Sequence, residues 1–587
     1  MCGIVGAIGK NLKVDMLSTS VDMLKHRGPD ANGHRIFSRS WLGHTRLSIL
    51  DLNKRSDQPF SDYKDQCSLV FNGEIYNFKA LRSLLQEDGV DFNTNSDTEV
   101  ILHSWRKWGN DCFLKFKGMF ALAIWDPKRE QLLIARDRFG EKPLYYLFAN
   151  DTLYFASELK VITRFSESLE LDPYSINDYF YWGYISSPNC LIKGVKKLKP
   201  GHFGVFRKNN FHEYQYYKRP SQTIELQSHQ IQSKIYFNLS RAVKRSLVAD
   251  VPVGISLSGG IDSCAIAAFA RNEFNVKLNC ISIGYHGRPK NDERERARAV
   301  SDNFDHEFHE VEISQQDIKS NFELFVQGLG EPVSDIAAFS YDCVFRKANQ
   351  IGLKAILSGI GGDELFWGYP IHNEHCLESQ RRQFFRRFFP KPLWPYFFKG
   401  YYGWKNQVIW NSGHMVSEMP QPFLDIPKDI EGRLPFNTLT KRGNENWTQS
   451  IQRVIIESWL EGNCLTLNDR LSMRYSVECR SPFLDADLTD YALSLQTDKE
   501  TLESSKKQLK LALVDLLSDN VLSAPKSGFT PPVNLWKKII CENFQNEYHK
   551  CLPLKELIKF DTINKQNYDL IYKLIILSSV INQIITG

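Results

Sequence analysis

The sequence has no C-x-x-C pair, and its twelve cysteines are scattered from Cys2 to Cys551. That absence disfavours a zinc site and a small disulfide framework, and it fits a reducing, cytoplasmic setting. Charge bias is also missing: 73 basic and 68 acidic side chains leave a net charge of +5 over 587 residues, which gives no argument for a nucleic-acid partner. The N-terminus, MCGIVGAIGKNLK, lacks a basic stretch ahead of its short apolar run and does not read as a secretory signal. The last segment, LIYKLIILSSVINQIITG, is interrupted by Lys573, Asn582 and Gln583. It falls short of the roughly 18 to 20 clean apolar residues of a transmembrane segment, so a buried terminal helix is expected. Internal repeats and low-complexity tracts are absent too, which excludes solenoids and disordered tails.

What is present is the composition of a packed protein, 42% hydrophobic and 24% charged, in a chain long enough for at least two domains. Up to about residue 195, short apolar runs such as CSLVFNG, FALAIWD and QLLIARD alternate with turn residues, a β-rich pattern. Residues 207–230 are polar and poor in aliphatics and read as a linker, giving domains 1–206 and 231–587. Beyond it, VPVGISL, LNCISIGY, HEFHEVEI and LKAILSG alternate with helix-like segments, the pattern of a parallel α/β sheet, and helical patterns dominate from about residue 430.

Cys2 follows the initiator methionine, whose removal would leave one residue carrying both a thiol and a free α-amine. The amine's ordinary pKa, roughly 7.7 to 8.0, lies close enough to that of a thiol for it to serve as the base that makes the thiolate. A strand-opening small residue is the plain alternative for Cys2 taken alone. It is accompanied, however, by His26-Arg27-Gly28-Pro29-Asp30, His44-Thr45-Arg46-Leu47, Asn72-Gly73-Glu74-Ile75-Tyr76-Asn77 and Ser96-Asp97-Thr98-Glu99. Together these resemble the glutaminase domain of asparagine synthetases, an N-terminal-nucleophile hydrolase. The resemblance implies Cys2 as nucleophile, Asn72 with the Gly73 N–H as oxyanion donors, and Arg46, Asn72, Glu74 and Asp97 as the glutamine-binding residues. Glutamine is a zwitterion, so a cation and an anion are needed, here Arg46 and Asp97.

Val251 to Ser263 reads VPVGISLSGGIDS, a strand running through a glycine turn into a helix, which suits a phosphate anion. The G-K-[ST] ending of a Walker A motif is absent. The string resembles the pyrophosphate loop of N-type ATP pyrophosphatases, which form acyl-adenylates. The implied nucleotide contacts are Leu257, Ser258, Gly259, Gly260, Asp262, Ser263, Ile283, Ser358 and Gly359, with Leu257 and Ile283 flanking adenine. Asp262 and Asp363 are the implied Mg²⁺ ligands. Lys526, in Ala524-Pro525-Lys526-Ser527-Gly528-Phe529, matches the lysine that stabilises adenylation, a solvated lysine being the plain alternative. Glu478 is implied as an acceptor-side carboxylate. Asp469-Arg470-Leu471-Ser472-Met473 and Glu478 to Asp485 carry the likeness over nearly the whole chain.

The implied architecture is an αββα sandwich of the N-terminal-nucleophile class, followed by an α/β ATP-pyrophosphatase domain (adenine nucleotide alpha-hydrolase-like) with a helical C-terminal part. The implied activity uses ATP and Mg²⁺, hydrolyses glutamine and amidates a carboxylate, aspartate first. One position departs from the family: Ile360 stands where asparagine synthetases carry an acid and related β-lactam synthetases a tyrosine, which leaves another acceptor open, for example a uronic acid of a polysaccharide precursor. Residues 381–405 interleave basic and aromatic side chains; an inserted helical hairpin is the plain reading, against binding of a phosphorylated sugar, nucleic acid or membrane. A homodimer and a non-catalytic regulatory homologue complete the alternatives.

Overall fold

The structure is a computed structural model that describes residues 2–586 apart from 11, 62–66, 221–223, 225–226, 290–291, 371–372, 375, 378–446, 526–530, 545, 547, 556 and 559–566. Segment 381–405 and Lys526 therefore lie outside the described residues.

Short β-branched and aromatic runs fold into two six-stranded antiparallel sheets. The first has the order Val195–Lys197, Tyr145–Ala149, Thr152–Ala156, Gly3–Ile8, Ser40–Arg46, Ala31–Ile36; the second has the order Asn210–Gln215, His202–Arg207, Gln131–Arg136, Gly118–Asp126, Ser68–Ile75, Phe60–Ser61. Strand alternation then builds the layers. Along Gly3–Ile8, Ile4 and Ile8 enter a cluster with Val70, Ala121 and Ile134 of the other sheet, while Val5 and Ala7 pack on Leu17 and Val21 of the Val14–Asp22 helix. On the far side, Leu69 and Phe71 meet Leu81, Leu85, Val100 and Trp105 from two helices. Helix, sheet, sheet, helix is the αββα sandwich expected. Because the central strands are covered on both faces they read as continuous apolar runs.

The segment read as a linker includes a strand. Asn210–Gln215 pairs in antiparallel register with His202–Arg207, so the first domain continues beyond residue 206. Its polarity comes from its place at the sheet edge, where most of its side chains are half-buried or exposed.

The second domain is built on a parallel sheet in the order Glu307–Ile313, Asn279–Tyr285, Val253–Ser256, Ala355–Leu357, Glu478–Arg480. Chain order runs outward in one direction from Val253–Ser256 and then reverses, which puts the topological switch point between Val253–Ser256 and Ala355–Leu357. Loops leaving those two strands open into the crevice where α/β sheets bind ligands. The terminal helix Tyr568–Thr586 is apolar and long enough to cross a membrane by length and composition, yet 67% of that stretch is buried inside the protein. Its one cation, Lys573, is satisfied indoors by donating to the Phe180 carbonyl at 2.6 Å, while Tyr179 donates to the Lys573 carbonyl at 2.8 Å. It is a core helix shared between the two domains.

Candidate active sites

Cys2 lies at the head of the central strand of the first sheet and is 7% exposed. Its backbone N–H donates to Asn72 Oδ1 at 3.1 Å. With its oxygen so anchored, the Asn72 amide keeps its Nδ2 donor buried without a protein partner. A buried N–H without an acceptor is costly unless a ligand supplies one, and an oxyanion is such an acceptor. The next residue, Gly73, has φ +152°, and a Cβ there would lie 2.0 Å from the Met119 carbonyl oxygen, so no side chain fits. Burial pushes the Cys2 thiol up, while the positive chain terminus, the Leu47 N–H and Arg46 pull it back.

Arg46 is committed to its own loop. Nη1 donates to the Asn53 carbonyl at 2.9 Å and to Asp57 Oδ1 at 2.6 Å, and Nη2 donates to the Asp51 carbonyl at 2.5 Å and the Leu50 carbonyl at 3.3 Å. The guanidinium thus shapes the rim of the site with both terminal nitrogens already in use. Asp97 opens the helix Asp97–Trp108, capped by Ser96. Burial raises its carboxyl to about 6 against the Ile75 N–H donating at 2.9 Å and the Ser96 hydroxyl. Glu74 is buried with Oε2 unpaired. Burial first, then the neighbouring Glu478 and Asp97, push it well above the usual carboxylate range. A site that lowers its energy by admitting an ammonium group is what these two acids make.

In the second domain the Val253–Ser256 strand runs into Leu257 to Gly260 and the helix Ile261–Asn272. Gly259 takes φ +73°. The turn is closed by its serines: Ser263 Oγ accepts from the Ser258 N–H at 3.2 Å, and Ser258 Oγ accepts from the Gly260 N–H at 3.3 Å. Across the switch point, the Ile360 N–H donates to Ser358 Oγ at 3.3 Å, and Gly361 turns at φ +98°. The loops meet at Asp262: a Cβ on Gly359 would stand 2.9 Å from Asp262 Cβ, and one on Gly362 2.4 Å from its Oδ1. Only glycine allows that approach, and it sets Asp262 beside Asp363.

Between these two aspartates sits a residue that sequence reasoning missed. Lys506 Nζ contacts Asp262 Oδ2 and lies 2.7 Å from Asp363 Oδ1. Burial alone would depress the ammonium, but the two carboxylates outweigh it and hold Lys506 above the ordinary lysine range. Its backbone is left-handed at φ +57°, a cost of order 1–3 kcal/mol that non-glycine residues bear mainly at functional sites. A second missed cation, Arg296, donates from Nε to the Gly259 carbonyl at 2.7 Å and so braces the turn. In sequence Lys506-Lys507 reads as a solvated pair and Arg296 as one arginine in a charged helix; only the tertiary fold singles them out.

Residues 1–217 match the glutamine amidotransferase domain family, and residues 234–562 match the asparagine synthase family. The chain belongs to the asparagine synthase family. It is 29% identical to glutamine-hydrolyzing asparagine synthetase 1 of Bacillus subtilis (strain 168), covering 93% of this chain and 89% of that protein. It is 28% identical to that organism's glutamine-hydrolyzing asparagine synthetase 3, over 95% and 92% of the two chains. It is also 29% identical to amidase chry2 of Gibberella zeae, over 89% and 86%. The protein is thus a glutamine-dependent carbon–nitrogen ligase of asparagine synthetase type.

One placement in the ligase differs from expectation. Glu478 does not face Asp262 and Asp363. It ion-pairs with Arg480 at 2.5 Å, and its charge raises Glu74 and Asp97 of the glutamine site. The residue alternation of the strand Glu478–Arg480 explains this, since Glu478 and Arg480 share a face turned to the first domain. Leu257, directly after the strand Val253–Ser256, and Ile283 of the neighbouring strand are both buried, with the Leu257 N–H donating to the Ile281 carbonyl at 2.9 Å. The remaining predicted residues among those described gather as two centres, one around Cys2 and one around Asp262 and Asp363.

Proposed function

We propose that the ligase transfers the amide nitrogen of glutamine to an ATP-activated carboxylate, with L-aspartate the leading acceptor and L-asparagine the product. The observation that carries the second half of this reading is the pair Asp262 and Asp363, held beside Lys506 at the switch point of the parallel sheet. After removal of Met1, the Cys2 amine takes the thiol proton and the thiolate attacks the glutamine amide carbon. Asn72 Nδ2 meets the oxyanion, ammonia leaves, and water releases glutamate from the thioester. In the second domain the acceptor carboxylate attacks the α-phosphorus of ATP, pyrophosphate departs, and ammonia displaces AMP from the acyl-adenylate to give the amide.

Mg²⁺ fits Asp262 and Asp363. These are hard oxygen donors from two converging loops, already close enough together to share one ammonium. No group of three or more His, Cys, Asp or Glu side chains that could hold a metal exists among the described residues, so the phosphates of ATP would complete the coordination, as is usual for this ion. Bound there, it would neutralise charge on the departing pyrophosphate. Lys506 and Arg296 would do the same from the protein side. A cytoplasmic location belongs to this reading and is supported by twelve cysteines that form no disulfide among the described residues.

Ile360 favours a second reading, the same chemistry on another carboxylate such as a uronic acid. It is partly buried against apolar neighbours, and an aliphatic side chain neither takes a proton nor binds an ammonium. The test is pyrophosphate release from ATP and Mg²⁺ with glutamine, comparing aspartate with a panel of carboxylates. Release with aspartate, accompanied by asparagine, supports the first reading; release only with another acid replaces it by the second.

A further inference from the structure

Arg480 stands at the junction of the two centres. It is 0% exposed, and its backbone and side chain reach in opposite functional directions. Its carbonyl accepts from the Ser358 N–H at 2.9 Å, which fixes the first residue of the loop leaving Ala355–Leu357. Its Nη1 donates to the Ser246 and Val248 carbonyls, both at 2.8 Å, at the end of the helix Ser228–Ser246. Its Nε bonds Glu478 Oε1 at 2.5 Å. That leaves Nη2, which is buried without a hydrogen-bond partner and points at Glu74 Oε1 from 3.8 Å. Glu74 Oε2 is unpaired as well. A buried donor and a buried carboxylate that miss each other by about 1 Å are unstable company: each bears an unmet desolvation cost, and a small shift satisfies both.

We propose that Arg480 is a positioning residue that couples the two sites: occupancy of the Ser358 loop by ATP moves the strand Glu478–Arg480 enough for Nη2 to bond Glu74, which orients that carboxylate for the ammonium group of glutamine. The structural argument is that one residue touches both centres directly, through its carbonyl at one and its guanidinium at the other. Tyr76, whose ring lies 5.5 Å from the guanidinium carbon, and Glu478 confine the guanidinium so that Glu74 is the acceptor it can gain. The coupling needs no covalent step and no part of the chain to unfold. It rests on the ligase reading of both sites.

The experiment is glutamine hydrolysis by the full chain, followed as glutamate, with and without ATP and Mg²⁺ and with no carboxylate acceptor. ATP binding is measured separately by equilibrium dialysis. In the wild type, ATP is expected to lower the KM for glutamine with little change in kcat. Arg480→Lys cannot keep Ser246, Val248 and Glu478 and still reach Glu74, so it should bind ATP yet show no ATP response, with KM raised about tenfold. Glu478→Gln weakens the competing ion pair and should give the low KM without ATP. This opposite sign is one that a merely destabilised strand would not produce, and it decides the matter if the lysine variant does not fold. ATP binding by the wild type with unchanged glutamine kinetics, or a wild-type ATP response in either variant, overturns the proposal. Failure of the wild type to bind ATP would instead remove the ligase reading of the second site, and this inference with it.

Discussion

Replacing Lys506 with methionine keeps most of the side-chain volume and removes the one ammonium held between Asp262 and Asp363. Lys506 is 5% exposed, and the aspartates are 9% and 8% exposed, so the carboxylates would be left facing each other in a poorly solvated cleft. Breaking a buried ion pair from one side costs about 3–5 kcal/mol. Part of this cost should be recovered by protonating one aspartate, so the loss of stability should be largest at alkaline pH and shrink as pH falls. Loss of a preorganised charge next to developing negative charge typically costs about 10²–10³-fold in rate. The assay is ATP–pyrophosphate exchange beside glutaminase activity in the same preparation. The expected result is exchange reduced by that factor, glutaminase activity retained, and a larger rise in melting temperature on adding Mg²⁺ than in the parent, because the ion supplies the missing charge. Exchange within about threefold of the parent in a folded variant would refute the assignment of Lys506 to the transition state.

Asn72→Ala should reduce glutaminase activity about 10²–10³-fold by deleting the oxyanion donor, while pyrophosphate release driven by ammonium chloride persists; equal loss of both would show a structural defect. The kcat/KM for glutamine should rise as pH passes through about 6, where Asp97 becomes anionic, and Asp97→Asn should flatten that limb. For folding the sign is opposite: the raised Asp97 carboxyl favours the fold below its unfolded value and loses that contribution as pH climbs through about 6, a swing on the order of 3 kcal/mol. Chemical denaturation of parent and Asp97→Asn at pH 4 and pH 7 measures it. Gly73→Ala places a methyl against the Met119 carbonyl and should abolish glutamine hydrolysis with a lowered melting temperature. Wild-type hydrolysis in that variant would show that the strand adapts.

Much of the fold was legible because it rests on local pattern. Runs such as CSLVFNG gave buried central strands, and alternation of strands with helices gave the parallel sheet and hence the place where Asp262 and Asp363 meet. Cys2, Asn72, Gly73 and Asp97 were legible as motifs, and the Cys2 N–H donates to Asn72 Oδ1 across 70 positions of chain. What escaped depends on contacts between distant segments. Lys506 lies 244 positions from Asp262, and nothing in its neighbours distinguishes it from the solvated Lys507. Glu478 reads as an acceptor-side carboxylate because it opens a family motif, but which face of a strand turns to which domain is fixed by the packing of Arg480, not by the string. Asn210–Gln215 looked like linker because an edge strand with one solvated face has the composition of a loop.

Beside the apolar helix that the domains share, their boundary is pinned by charge. Arg27, 0% exposed, forks onto Asp469 at 3.0 and 2.9 Å; Arg136 reaches Glu461 at 3.1 Å; Lys197 reaches Glu331 at 2.5 Å. Each bond pairs a side chain of the glutaminase half with one of the synthetase half. Apolar seams tolerate a new partner of about the right shape, whereas a buried ion pair demands the opposite charge at one place. The two halves therefore behave as lock and key rather than as modules. A glutaminase half grafted from a relative will dock only if it brings Arg27, Arg136 and Lys197 in register, and a bare synthetase half would carry three stranded carboxylates on the face it lost.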